Sequence, residues 1–148
     1  MSAARRETGC PAEMTVVPAG TGIVPAPAGI ASGDLLVQGL LASGVGGEMT
    51  AVRAFFAPGV LSHWHSHPRG QWLFALDGVG LAQRDGGAVV TLRAGDAVWF
   101  APDERHWHGA APGSPFSYVS VQQVGGGVTV RWMEAVDDRA RLEDKSRP

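Results

Sequence analysis

The sequence predicts an all-β fold, a sandwich or barrel of about ten short strands. Glycine and proline supply 21 and 10 of the 148 residues, which is typical of a chain with many tight turns between strands. Turn signals recur at intervals of roughly eight to twelve residues, as in β-sandwiches and barrels. Residues 137–145, DDRARLEDK, have a helix-like composition, and we interpret them as a solvated tail.

The length favours one domain, with a flexible N-terminal arm at 1–15, a barrel at 16–136 and a C-terminal tail at 137–148. Residues 16–33 are rich in Pro, Gly and Ala, which favours loops or edge segments because proline cannot donate to a central ladder. The predicted strands follow at 34–41, 49–57, 61–67, 71–76, 79–84, 88–92, 96–100, 106–110, 116–122 and 128–136. Pro58-Gly59 predicts a turn, and Asp77-Gly78 predicts a hairpin.

The predicted strand at 71–76 is apolar on both faces. One face carries Gln71, Leu73 and Ala75, and the other carries Trp72, Phe74 and Leu76. We therefore expect the strand to be covered on both sides, by the opposing sheet and by another strand or subunit.

Charge and cysteine content exclude several classes of partner. The formal charge is −2 and the isoelectric point is about 6.2, so nothing favours nucleic acid or an anionic membrane surface. The single cysteine, Cys10, has no disulfide partner, which favours a reducing compartment. No apolar run approaches about eighteen residues, and no signal-like segment follows Arg5-Arg6. We expect a cytoplasmic protein.

The five histidines fall in two clusters with the spacing of a β-strand. His63, His65 and His67 stand at every second position, and His106 and His108 repeat that spacing. Alternate side chains of a strand share one face, so each cluster aims its imidazoles to one side of a sheet. Imidazole is the commonest protein ligand for metals such as zinc, iron, copper and nickel. The pattern predicts a metal site.

The residues after the first cluster select its register. If His65 and His67 are the ligand pair, the next same-face residue with a ligating atom is Gln71. If the pair is His63 and His65, the equivalent position is Arg69, whose guanidinium has no lone pair to donate. The first register is therefore preferred.

In that register the pattern Gly59-x5-His65-x-His67-x3-Gln71-x6-Gly78 resembles the first motif of the cupin superfamily in every interval. The one substitution is Gln71, where the family usually has Glu.

Residues 95–110, GDAVWFAPDERHWHGA, are similar to the second cupin motif and place His106 at the ligand position. Ala101, Asp103 and Ala110 replace the usual Pro, Gly and Asn. Asp is among the few non-glycine residues tolerated in a left-handed turn, so Asp103 can keep the turn. The resemblance covers roughly residues 50 to 135.

The resemblance implies a jelly-roll barrel, the double-stranded β-helix of cupins, with one divalent metal held by His65, His67, Gln71 and His106. The ion would be manganese, iron, nickel or zinc, with manganese or iron favoured. The resemblance also implies a homodimer, commonly with exchanged N-terminal strands, for which residues 16–41 are the candidates.

WHSHPRGQ and ERHWHGAA look like one branch of single-domain cupins, which includes manganese-dependent hydroxynitrile lyases. That branch often carries a His where this chain has Tyr118. A neutral Gln71 in place of a carboxylate raises the net charge of a divalent site from about +1 to about +2, which strengthens a Lewis acid and disfavours the trivalent metal. We therefore expect lyase or proton-transfer chemistry on a small oxygenated molecule.

Three residues are candidates for the chemistry beyond the ligands. His108 should face the lumen beside His106 and act as an acid–base group that titrates near neutrality, or else only support the site through a backbone carbonyl. Tyr118 can offer its hydroxyl to substrate or serve packing. His63 lies either at the pocket rim or in solvent.

Other polar and aromatic residues have simpler explanations. Arg53 and Gln83 either anchor a substrate oxygen or, more simply, lie on exposed faces. Trp64, Trp99 and Trp107 have the opposite parity to the ligands, which predicts packing outside the lumen or at a subunit contact.

Two other functions stay open. One is an iron-dependent dioxygenase, which would consume oxygen. The other is a non-catalytic cupin that binds a small ligand; a complete ligand set with an additional His108 disfavours it.

Overall fold

The structure is a computed structural model that describes residues 8–137. These residues form ten strands and no helix, which confirms the predicted all-β class. The strands are β1 (Ile23–Pro25), β2 (Leu35–Leu41), β3 (Met49–Phe56), β4 (His65–Ser66), β5 (Gln71–Arg84), β6 (Val90–Arg93), β7 (Ala97–Phe100), β8 (His106–Ala110), β9 (Phe116–Gln123) and β10 (Arg131–Trp132). A helix long and apolar enough to cross a membrane is not found in this range. Apart from Asp137, the predicted C-terminal tail lies outside the described residues.

The long strand β5 joins the two halves of one curled antiparallel sheet. Its first part pairs with β9 and β7, and its second part pairs with β6 and β8. The strand order is β1-β2-β3-β9-β5-β8-β4-β10. Because the sheet curls, the inner faces of its two halves oppose each other and enclose the core.

The hairpin predicted at Asp77-Gly78 is wrong, because β5 runs without reversal through both residues. Its register against β9 shifts between Ala75 and Asp77, and such a bulge bends a strand. Gly78 has a φ of 78°, and a Cβ there would overlap the carbonyl oxygen of Pro115. The glycine therefore serves a bend within β5.

Two other predicted strands are much shorter than expected. The strand predicted at 61–67 is reduced to β4, and the strand predicted at 128–136 is reduced to β10. The strands predicted at 71–76 and 79–84 are one continuous strand, β5, and the other predicted strands agree with the structure within two residues at each end. The segment at 16–33, predicted to be an edge or loop, contributes only the edge strand β1, which pairs with β2 of the same chain.

The inner faces form the main hydrophobic cluster, and a smaller cluster lies behind β8. The main cluster consists of Leu35, Ala54, Phe56, Val60, Leu73, Ala75, Ala82, Leu92, Phe100, Ala110, Phe116 and Tyr118. The smaller one consists of Leu61, Leu81, Val89 and Trp107. Trp107 is fully buried, and its indole donates to Gln83 Oε1 at 2.9 Å. Trp107 thus packs outside the lumen, as its parity predicts.

The outer face of β5 is open within the described chain. Trp72 is 41% exposed and Trp99, its register partner on β7, is 59% exposed. Phe74 stacks on Trp72 with ring centroids 5.8 Å apart. One side of the strand at 71–76 is therefore buried as expected, and its other side carries an exposed aromatic patch of Trp72, Phe74 and Trp99.

Candidate metal centre

Four of the five histidines converge at one end of the core. His65 on β4 and His106 on β8 are register partners, with ring centroids 4.3 Å apart. The ligating atoms of His65, His106 and His108 lie within 4.8 Å of one another. The ring of His67 lies 5.1 Å from that of His65 and 5.2 Å from that of His106. Pairing of β4 with β8 thus brings together two clusters that are forty residues apart in the chain.

Three of these rings are oriented in the same way, through Nδ1. Each Nδ1 lies 2.7–2.8 Å from a backbone carbonyl oxygen: His65 from His63, His67 from Thr129, and His106 from Glu104. A carbonyl oxygen can only accept, so the proton sits on Nδ1 and the lone pair on Nε2. This arrangement is the usual support of a metal-binding histidine, since it fixes both tautomer and ring direction.

His108 differs from these three histidines. Both of its ring nitrogens are buried without a hydrogen-bond partner among the described residues. Its backbone is held instead, because its N–H donates to Ser62 Oγ at 3.1 Å. The ring packs edge-on against Tyr118, with centroids 5.0 Å apart. His108 therefore lines the cavity with a ring whose two nitrogens make no hydrogen bond to the described residues.

Gln71 completes the group with an amide whose direction is determined. Its Nε2 donates to Gln122 Oε1 at 2.8 Å. The opposite end of the amide, Oε1, lies 3.4 Å from His106 Nε2. The amide oxygen, which is the end that can bind a metal, thus faces the histidines.

Burial keeps these imidazoles neutral. Loss of solvent lowers the pKa of His67 to about 4 and that of His106 to about 3. It also lowers the pKa of His65 and His108 well below the ordinary value, and the neighbouring histidines add to the effect. The expectation that His108 titrates near neutrality is therefore wrong for this buried environment. Neutral imidazole is the form that binds metals and accepts protons.

A cavity of about 210 Å³ opens from this polar group toward the apolar inner wall. His65, His67, Gln71 and His108 line its polar end. The remaining walls are mainly apolar and include Ile30, Leu35, Val37, Val52, Ala54, Phe56, Tyr118, Val130 and Trp132. Burial raises the pKa of Tyr118 above its ordinary value, so its phenol stays protonated. The cavity suits a small molecule with one polar and one apolar end.

Sequence reasoning missed two aromatic residues that pack against the histidines. Phe100 stacks on His106 with centroids 3.7 Å apart and an angle of 8° between the rings. Trp132 lies over His65, with centroids 4.6 Å apart. The sequence could have indicated the role of Phe100, since Phe100 lies within the second motif. It could not have indicated the role of Trp132, because Trp132 reaches His65 only through the pairing of β10 with β4.

The other candidate residues lie around this cavity or away from it. Tyr118 lines it, whereas His63 is partly exposed and contributes only its backbone carbonyl to His65. The side chain of Gln83 accepts a hydrogen bond from the Trp107 indole and donates one to the Gly87 carbonyl. Arg53 is about one-third exposed and lies 3.9 Å from Asp77, outside the cavity.

The donors present fit a first-row divalent metal. They are neutral, buried and imidazole-rich, with one amide oxygen, which is a donor set that manganese, iron, nickel and zinc accept. Nε2 of His67 is buried and has no hydrogen-bond partner in the described part of the chain. An unsatisfied buried nitrogen aimed at other donors is costly unless a ligand occupies the space between them.

The family comparison agrees with this geometry. A cupin domain model matches residues 38–122, which is more than half of the chain. Among curated proteins, the (R)-mandelonitrile lyase of Granulicella tundricola is 49% identical over 83 residues. That match spans 56% of this chain and 63% of the relative's own length.

Solved structures share the fold. A cupin-like protein from Thermotoga maritima is 28% identical, with a TM-score of 0.76, and the match covers 83% of this chain and 94% of that one. The polyketide cyclase RemF from Streptomyces resistomycificus is 16% identical, with a TM-score of 0.66, and the match covers 86% and 92% of the two chains. At that identity the likeness concerns the fold alone.

Proposed function

The chain belongs to the cupin family, and we propose that it is a metal-dependent lyase that cleaves small cyanohydrins. The observation that carries the proposal is a group of four histidines at one end of the core. Three of them are held at Nδ1, and the fourth, His108, has two ring nitrogens without a hydrogen-bond partner among the described residues. The likeness to a protein named (R)-mandelonitrile lyase supports the choice of substrate class.

The proposed metal ligands are His65, His67, Gln71 and His106, with manganese or iron as the ion. The Nδ1 contacts separate these histidines from His108, because a ligand ring is normally held at its other nitrogen. Gln122 holds Gln71 in the corresponding way. When bound, the divalent ion would supply a Lewis acid for a substrate oxygen or a departing anion.

His108 is proposed as the base. It accepts the proton of the cyanohydrin hydroxyl, the oxygen's electron pair forms the carbonyl, and the bond to the nitrile carbon breaks with its electrons on cyanide. The proton then passes from His108 to cyanide, which leaves as hydrogen cyanide. At neutral pH His108 is neutral, and its ring nitrogens have no hydrogen-bond partner among the described residues, so one of them can accept that proton. Burial lowers the pKa of His108 and makes it a weaker base than an exposed histidine.

The apolar walls would hold the rest of the substrate. Phe56 lies 6.0 Å from His108 and 5.8 Å from Tyr118 by ring centroid, so an apolar group beside the reacting carbon would contact aromatic faces. Tyr118, which stays protonated, is proposed to donate a hydrogen bond to a substrate oxygen. His63 is not assigned a role in this mechanism.

The test is elemental analysis of the purified protein followed by two assays on the metal-loaded form. We expect about one manganese or iron per chain and release of benzaldehyde from mandelonitrile without oxygen uptake. Oxygen consumption with a diketone or a thiol and no cyanohydrin cleavage would instead identify a dioxygenase. A loaded protein that binds small anions and turns over neither class would identify a binding protein.

A further inference from the structure

After β9 the chain passes along the cavity, which Thr129, Val130 and Trp132 line. It reverses at Gly126 and Gly127, which have φ values of 61° and 81°. It then runs back along β4, where Trp132 lies opposite His65. Backbone hydrogen bonds between Trp64 and the pair Met133 and Glu134 continue this ladder. We call residues 128–134 the strap.

The backbone of the strap is fixed by contacts that do not involve the side chain of Trp132. The Thr129 carbonyl accepts the Nδ1 proton of His67 at 2.7 Å. Arg131 pairs with Asp103 at 3.1 Å, and the Asp103 N–H donates to the His67 carbonyl at 2.9 Å. Replacing the side chain at 132 should therefore leave the support of the metal centre in place.

Trp132 has one side in the cavity and one side in solvent. Its ring covers His65 at 4.6 Å, with an angle of 42° between the planes, and it lines the cavity. It is nevertheless 41% exposed. A side chain with both properties lies where the cavity meets solvent. It is the bulkiest of the side chains that the structure places around this cavity.

We propose that Trp132 is the specificity-determining residue of this site, because it limits the width of the entrance. The cavity, at about 210 Å³, is smaller than the ~300–1,000 Å³ typical of drug-sized ligand pockets. With the indole in place, a molecule with one six-membered ring is admitted and one with two fused rings is restricted. This inference rests on the proposed metal centre, and its kinetic arm also rests on the proposed reaction.

The test uses two anionic probes that differ only in width, benzoate and 2-naphthoate, on the metal-loaded protein. Dissociation constants are measured by calorimetry for the wild type, Trp132→Ala and Trp132→Phe. Trp99→Ala is the matched control, since it removes an exposed indole outside the cavity. A parallel arm compares kcat/KM for mandelonitrile and for its 2-naphthyl analogue.

We expect Trp132→Ala to improve 2-naphthoate binding relative to benzoate by about tenfold, the size of a typical steric discrimination in an apolar pocket. Trp132→Phe should give a smaller change in the same direction, and Trp99→Ala should give none. Metal content should remain at the wild-type value in all three variants. An unchanged ratio of the two probes in Trp132→Ala overturns the proposal.

Loss of metal from both Trp132→Ala and Trp132→Phe also overturns the proposal, because Trp132 would then support the centre and not set its width. The probe arm is independent of turnover. If no cyanohydrin is cleaved but the probe ratio shifts, the proposed reaction fails and the entrance role stands. If cleavage is observed with an unchanged ratio, the reaction stands and the entrance role fails.

Discussion

The side-chain amide of Gln71 donates to the side-chain oxygen of Gln122, with 2.8 Å between Nε2 and Oε1. Gln122 in turn donates to Thr50 Oγ1 at 3.3 Å, and Thr50 donates to the backbone carbonyl of Gln122 at 3.0 Å. An amide has one donor end and one acceptor end. The direction of the Gln71 oxygen therefore depends on a residue that is not itself a proposed ligand.

Gln122→Leu should weaken metal binding by about 10- to 100-fold, the usual effect of losing the partner of a metal ligand. Gln122→Glu should keep most of the affinity, because a carboxylate still accepts from Gln71 Nε2. The measurement is a competitive Mn²⁺ titration. Gln123→Leu, at the exposed neighbouring position, is the control. Equal affinities for Gln122→Leu and the control would contradict this role.

His67→Ala and His108→Ala should separate a ligand from a base. The Thr129 carbonyl orients His67 through a hydrogen bond, whereas no hydrogen bond from the described residues holds the ring of His108. We therefore expect His67→Ala to lose metal. His108→Ala should keep it and lose roughly 10²–10⁴-fold in kcat. Elemental analysis and kinetics on the same preparation provide the check. Metal loss in His108→Ala with retention in His67→Ala would reverse the two assignments.

The metal-free protein should lose stability as the pH falls below about 6.5. Above that value the folded and unfolded chains both carry neutral rings at His67 and His106. Below it the unfolded chain binds protons that the folded chain does not, until the folded-state pKa values of about 4 and about 3 are reached. Each ring then contributes a slope of up to about 1.4 kcal/mol per pH unit.

Urea denaturation of the metal-free protein between pH 7 and pH 4.5 measures this slope. His67→Gln removes one buried ring and should reduce the slope by up to one proton. Identical slopes for the wild type and His67→Gln would mean that His67 is not held neutral by burial.

The protein should associate through its exposed aromatic patch. Trp72 and Trp99 lie side by side in register on the outer face, and such patches on a small domain typically mark an interface. We expect a homodimer by light scattering and a shift toward the 15.4 kDa monomer in Trp72→Lys. Lys substitution at Val24, an exposed position on β1, separates this interface from an exchange of residues 16–41. A wild-type monomer at micromolar concentration would refute both.

The site was most predictable where its determinants are local. Alternation along a strand places His65 and His67, and again His106 and His108, toward one side, and the intervals to Gln71 need no tertiary information. Asp103 has a φ of 61°, so the tolerance of Asp for a left-handed turn held as expected. Each of these features is determined by neighbours only a few residues away.

The wrong predictions concern features that depend on tertiary structure. The Asp77-Gly78 pair indicates that a residue with positive φ is present. A positive φ occurs in a bulged bend as well as in a hairpin, so the pair alone does not identify a hairpin. The low pKa of His108 arises from burial by distant strands, and no local pattern encodes it. Trp132 reaches His65 across more than sixty residues of chain, which spacing within a motif cannot reveal.

The burial of strand β8 limits the insertions and deletions that this domain can tolerate during evolution. Every residue from His106 to Ala110 is buried. His106 and His108 lie on the side of the other histidines, and Trp107 belongs to the smaller cluster. Inserting or deleting one residue would exchange those faces and damage the chemistry and the packing together. New substrate preferences are therefore expected to arise at positions such as Val37, Val52 and Trp132, where a single substitution alters a wall without altering the framework.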